Sequence, residues 1–213
     1  MTRDWHAWHD EYDDPASSLS RRLAEVRAQL ALVVGSGDEP LRLLSLCSGD
    51  GRDTIPVLAE SPRDVSACLV ELDPELAATA RDSGREAGLD LEVRCGDAGA
   101  AEVFADRLPV DVLMLCGIFG NISDADVERC VPAAPAMVAP GGTVIWTRGH
   151  QVPDDPTGQR GDPAEWVRGL FAAAGFDEVA FVKPHGASYR VGVCRQPGRA
   201  SGWASEWGFS FVK

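Results

Sequence analysis

Ser48-Gly49-Asp50-Gly51, Glu71, Asp97-Ala98 and Cys116-Gly117 are the positions whose types could hold a ligand. The glycines of the first group let the backbone turn sharply and lie bare against a bound molecule. A carboxylate at Glu71 offers two acceptor oxygens, enough for both hydroxyls of a ribose. A carboxylate at Asp97 can accept from the amino group of an adenine, and Cys116-Gly117 again presents bare backbone. Each acid alone reads as readily as a solvated loop or capping residue. Their order along the chain gives them weight, because each falls at the end of an expected strand.

The elements that would position them follow from periodicity. Leu41, Leu43, Leu44, Leu46 and Cys47 are apolar on both parities, the mark of a strand buried on both faces. The glycine turn follows, and Thr54–Ala59 then reads as a helix start, with Pro56 tolerable in its first turn. Val65–Leu72 is a second strand. Asp73-Pro74-Glu75 starts a helix running to about Ala87, with Gly88 as its stop. Leu89–Cys95 is a third strand, followed by a short helical piece at Ala98–Phe104, and Val110–Cys116 is a fourth. Ser123–Val138 reads as a helix that Pro132 and Pro135 must kink or divide. Pro140-Gly141-Gly142 is a turn into a fifth strand, Thr143–Arg148. A helix from Asp162 to Gly175 precedes two strands, Phe176–Val182 and Ser188–Arg195, whose short connection predicts antiparallel pairing.

Strands alternating with helices predict one α/β domain over 1–213 built on a doubly wound sheet. Residues 1–40 form a leader and an amphipathic helix over Arg21–Val34, 41–195 the core, and 196–213 a tail whose Phe209–Val212 reads as a short edge strand. In such a sheet, ligands bind at the carboxyl ends of the strands, where all four groups fall.

The 213 residues carry 20 Lys and Arg against 33 Asp and Glu, a formal charge of −13 with no basic run. Duplex phosphates and anionic membrane surfaces repel such a chain, so neither nucleic acid nor membrane is expected as a partner. No signal peptide or membrane span is legible. None of the six cysteines forms a metal-binding spacing, so no metal site is expected, and the thiols read as small buried hydrophobes of a cytoplasmic protein.

The dinucleotide fingerprint needs a third glycine where Thr54 stands, and Asp50 and Asp53 place negative charge where a pyrophosphate would sit. Both points disfavour a nicotinamide-linked oxidoreductase. A phosphate-free ligand with its own positive charge suits an acidic turn, and S-adenosylmethionine is one. At these residues the chain resembles the class I S-adenosylmethionine-dependent methyltransferases over roughly 41–195. Leu43–Gly51 resembles the family's first motif, Glu71 its ribose-binding acid, Asp97-Ala98 its adenine-contacting pair, Asp111–Gly117 its fourth-strand motif, and Ala139–Gly142 the turn before strand five. The resemblance implies strand order 3-2-1-4-5-7-6 with strand 7 antiparallel. It also implies cofactor contacts from Cys47, Ser48, Gly49, Asp50, Gly51, Glu71, Leu72, Asp97, Ala98, Cys116 and Gly117. Two positions depart from the family: Ser45, where an acid often stands, and Cys47, where glycine is usual.

In this fold the segment before the first strand commonly covers the site. The leader holds Trp5, His6, Trp8, His9 and Tyr12, and it is expected to close over the cofactor with Tyr12 and Arg22 (or Arg21) near its carboxylate. His150, just past the fifth strand, is the candidate general base. With no inserted substrate domain, the pocket must be built from the leader and the Gly117–Asp124 and His150–Gly161 loops, with the aromatic tail as a further candidate wall, which favours a small-molecule acceptor. A nucleoside-binding module without catalysis, or another alkyl transfer or cyclisation with the same cofactor, are the competing readings. A monomer and a homodimer are both compatible with the sequence.

Overall fold

A computed structural model describes residues 10–149, 161–198 and 207–211. The leucine run folds as the central strand β1, Leu41–Leu46, with Leu43 to Leu46 all buried. The glycine turn leads into a short helix, and β2 is Val65–Glu71, β3 Leu91–Cys95 and β4 Val110–Leu115. β5 is Val138–Gly149, β6 Asp177–Val182 and β7 Tyr189–Arg195. One seven-stranded sheet results, in the order β3-β2-β1-β4-β5-β7-β6. The neighbours from β3 to β5 are parallel, and β7 runs antiparallel to both β5 and β6. The expected topology is therefore the observed one.

Helices cover both faces. On one lie α1 (Ser18–Val34), α2 (Ile55–Glu60) and α3 (Pro74–Glu86), packed over Leu43, Leu69, Met114 and Ile145. On the other lie α4 (Asp124–Met137) and α5 (Pro163–Ala173), packed over Leu44, Leu46, Leu113, Leu115 and Trp146. The caps are those the side chains dictate. Ser17 accepts from the Ser20 amide, Asp73 from those of Glu75 and Leu76, and Asp162 from that of Ala164.

Three expectations are refined in detail. Pro132 and Pro135 do not divide α4, which runs through both. An interior proline costs about 3 kcal/mol, but each large apolar side chain buried returns roughly 1.5–3. Val127, Val131 and Met137 are all fully buried on this helix. The Pro140-Gly141-Gly142 turn lies within β5 as a bulge. Between the pairs Val110–Val138 and Val112–Thr143 the β5 side carries the extra residues, and Gly141 takes φ 82° to absorb them. The short helical piece expected over Ala98–Phe104 is a 3₁₀ turn at Ala101–Val103, and a second 3₁₀ turn, Ala105–Arg107, follows it.

The tail does not form an edge strand; within its described part, Phe211 makes one isolated antiparallel bridge to Ile122. All six cysteines are free thiols, and only Cys95, at the tip of β3, is exposed. Among the described residues, no helix is long and apolar enough to cross a membrane, and no group of three His, Cys, Asp or Glu could hold a metal.

Candidate functional site

Leaving β1, the chain passes through three left-handed residues, Cys47 at φ 56°, Gly49 at 58° and Gly51 at 75°. Cys47 is the one described non-glycine residue with positive φ, which explains why glycine is usual at this position. The turn's amides are spent internally. Ser48 donates to the Val70 carbonyl at 3.0 Å, Gly51 to the Ser48 carbonyl at 3.0 Å and Ile55 to the Gly51 carbonyl at 2.8 Å. The Gly49 amide donates to Glu71 Oε2 at 2.7 Å, and the Asp73 amide to Glu71 Oε1 at 2.9 Å. The Glu71 side chain thus ties the tip of β1 to the start of α3. Burial raises the Glu71 carboxyl above the ordinary glutamate range, and those backbone amides pull it partly back.

A cavity of about 370 Å³ opens beside this turn. Cys47, Ser48, Gly49, Asp50, Glu71, Leu72, Asp97, Ala98, Cys116 and Gly117 all line it, as do Tyr12 and Arg22. The strand tips thus bring together every expected contact but one. Gly51 does not reach the cavity. A Cβ there would fall 2.6 Å from Ile55 Cδ1 and 3.0 Å from Leu69 Cδ2, so this glycine serves the packing of α2 on the sheet. His150, Trp5, His6, Trp8 and His9 lie outside the described residues. Ser45, where the family often carries an acid, is buried within β1 and absent from the lining.

The leader's contribution is built by Tyr12. Its hydroxyl accepts from Arg22 Nη2 at 2.9 Å, while the Arg52 guanidinium lies 4.4 Å from its ring centroid. Arg52 is in turn held by Asp50, with Nη2 2.6 Å from Oδ2. At the tip of β3, Asp97 Oδ1 accepts from the Gly99 amide at 2.8 Å. At the tip of β4, Gly117 donates to Thr147 Oγ1 at 2.9 Å and takes φ 81°, and its carbonyl accepts from Asn121 Nδ2 at 2.6 Å.

Asp53 and Phe211 are among the lining residues not named as contacts from sequence. Asp53 accepts from Thr54 Oγ1 at 3.0 Å, and burial lifts its carboxyl above the usual aspartate range. Its charge also pushes the Cys116 thiol up, beyond the larger effect of that thiol's own burial. Phe211 comes from the tail, 113 residues beyond Ala98 in the chain; the aromatic tail was a candidate wall of the pocket, but this residue was not singled out. Along the same sheet edge, Arg148 at the end of β5 is mostly buried, 3.6 Å from Asp124, and one of its guanidinium nitrogens makes no hydrogen bond among the described residues.

Among the described residues the walls carry five carboxylates (Asp50, Asp53, Glu71, Asp73, Asp97) and two guanidiniums (Arg22, Arg52). A cation suits this lining, and a pyrophosphate does not. Residues 43–142 match a family model described as a methyltransferase domain. Over that stretch the chain is similar to the class I S-adenosylmethionine-dependent methyltransferases, and its strand order is the one that resemblance implied.

Solved methyltransferases share the architecture. An O-methyltransferase family protein from Burkholderia thailandensis aligns with TM-score 0.67 at 19% identity, covering 84% of this chain and 57% of its own. The chain therefore spans little more than half of that protein. The N-methyltransferase NodS from Bradyrhizobium japonicum aligns with TM-score 0.59 at 16% identity, covering 87% of this chain and 99% of its own. The [4+2]-cyclase SpnF aligns with TM-score 0.59 at 16% identity, covering 80% of this chain and 81% of its own. Comparison with curated proteins gives no match.

Proposed function

We propose that this protein transfers a methyl group from S-adenosylmethionine to a small-molecule acceptor by in-line displacement, in the cytoplasm. One observation carries the reading. The Gly49 amide, which would face a phosphate in a dinucleotide-binding turn, is donated to Glu71. This leaves a cavity walled by carboxylates. The residues present fit a phosphate-free, cationic adenosine derivative. Glu71 would hold the ribose hydroxyls and Asp97 with Ala98 the adenine. Asp53 and the backbone at Cys47 and Cys116 would meet the ammonium, and Tyr12 with Arg22 the carboxylate. When bound, the sulfonium supplies a methyl carbon already activated for attack.

The protein's share is then alignment and exclusion of water. The ion-paired Asp50–Arg52 unit under Tyr12 fixes the roof, and Gly117 holds the tip of β4 open to an acceptor. A base is required only for an acceptor protonated at working pH, and His150 is our candidate. Arg148 on the neighbouring strand suits an acceptor bearing an anionic group. Screening acceptors in carboxylated and neutral pairs tests this, and equal turnover of the two would remove Arg148 from the acceptor site. The second reading is a module that binds the nucleoside without methylating, favoured by the strained Cys47 in place of glycine. Binding of S-adenosylhomocysteine without methyl uptake by any acceptor would support it. The leading reading is tested by calorimetric titration with S-adenosylhomocysteine and with NAD. Binding of NAD alone would overturn it.

Asp53 gives a separable test. Its folded-state pKa is raised, so its contribution to stability is fully present below the unfolded value and is lost as pH rises through the folded one. At pH 7 the buried charge is a net cost. Asp53→Asn keeps the acceptor for Thr54 and should raise the melting temperature of the unliganded protein by about 2–4 °C, the shift that ~1 kcal/mol gives in a chain of this size. The same change should weaken S-adenosylmethionine binding about tenfold, by removing a charge opposite a cation. The melting gain should vanish at pH 3. A gain that persists there would show that the effect is not electrostatic.

A further inference from the structure

We infer that the strap 207–211 completes the nucleobase end of the cavity, with the Phe211 ring as the wall against which a purine lies. This rests on the proposed adenosine ligand. The strap is tied down at every step. Trp207 Nε1 donates to the Ala98 carbonyl at 2.9 Å, the residue after the expected adenine acceptor Asp97. The Trp207 ring meets Phe104 and Phe209 edge-on, at 6.1 and 5.7 Å. The Gly208 carbonyl accepts from Arg129 Nε at 3.0 Å and Nη2 at 2.7 Å. Gly99 is bare because a Cβ there would overlap the Phe209 carbonyl. Phe211 then bridges to Ile122.

These contacts place Phe211 in the cavity wall with Asp97 and Ala98. The ring is fixed from behind by Phe209, edge-on at 5.6 Å and itself 5% exposed. Phe211 is half-buried: it packs against the core and also lines the cavity. Leu72, 57% exposed, lines the same cavity from the tip of β2. An aromatic face, an exposed aliphatic side chain and a carboxylate acceptor together suit a flat heterocycle with an exocyclic amine. The strap reaches the site from the far end of the chain, so the base pocket requires it to be docked.

The test is calorimetric binding of S-adenosylhomocysteine and of 5′-methylthioadenosine, which lacks the amino-acid portion, to the full chain. Phe211→Ala should weaken both by the same factor, about tenfold, the size of a lost base–aromatic stack. Phe211→Leu, which keeps apolar bulk without a ring face, should behave like the alanine variant, and Phe211→Trp should bind like wild type. Equal losses for the two ligands place the ring at the base, and a loss confined to S-adenosylhomocysteine would overturn the assignment. Wild-type affinity in Phe211→Ala and Phe211→Leu would overturn it too, leaving the adenosine reading intact. Failure of the wild-type protein to bind either ligand would instead overturn the adenosine reading on which it rests.

Discussion

Glu71→Ala is expected to lower affinity for S-adenosylhomocysteine by about 100-fold, or roughly 2.7 kcal/mol. Two losses add. The ribose hydroxyls lose an ionised acceptor, and hydrogen bonds to charged groups contribute roughly 1.5–3 kcal/mol. The turn also loses its tether, because the Gly49 and Asp73 amides, now at 2.7 and 2.9 Å from the carboxylate, are left without it. Glu71→Gln is not a mild control. Each oxygen accepts from a backbone amide, so an amide side chain would set its NH2 against one of those donors. It should bind nearly as poorly as the alanine variant. Titration of both variants checks this, and affinity within about threefold of wild type for either would remove Glu71 from the ligand site.

Gly192→Ala is expected to destabilise the fold by about 3 kcal/mol, the upper end for overpacking a core, without touching the cavity. Gly192 on β7 sits opposite Trp146 on β5. A Cβ built there would fall inside the indole, against Cε2, Cζ2 and Nε1. The ring has nowhere to go. It is fully buried, stacks on Phe171 at 5.5 Å, meets Phe119 at 6.3 Å, and its Nε1 donates to Cys194 Sγ at 3.4 Å. Urea unfolding measures the change. A Trp146→Leu partner substitution should return part of it, since the two positions compete for one volume. A loss under about 0.5 kcal/mol would mean that the sheet flexes enough to admit the methyl.

The sheet was legible because its rules are local. An apolar run with both parities filled makes a buried strand, and Asp-Pro or a serine before an amphipathic stretch starts a helix. Most of the cavity followed, since parallel strands put their tips on one edge and the acids at 71 and 97 stand at such tips. What local pattern left undecided or misplaced shares one cause. Pro132 and Pro135 break a helix locally, yet α4 keeps going because its buried face packs on the sheet. Gly51 looked like part of the ligand turn, but Ile55 and Leu69 claim the space over it. Phe211 and Gly192 depend on partners that only folding supplies, at Ile122 and Trp146. Local pattern carries no record of such distant neighbours.

Burial raises the thiols of Cys47, Cys68, Cys116, Cys130 and Cys194 away from the reactive thiolate, whereas Cys95 stands in the open. Its sulfur lies 3.6 Å from the carbonyl of Leu72, one of the residues around the cavity. A maleimide dye offered to the unaltered protein should therefore attach at a single place, on the doorstep of the pocket. Its emission would report filling and emptying in real time, with no engineered cysteine required.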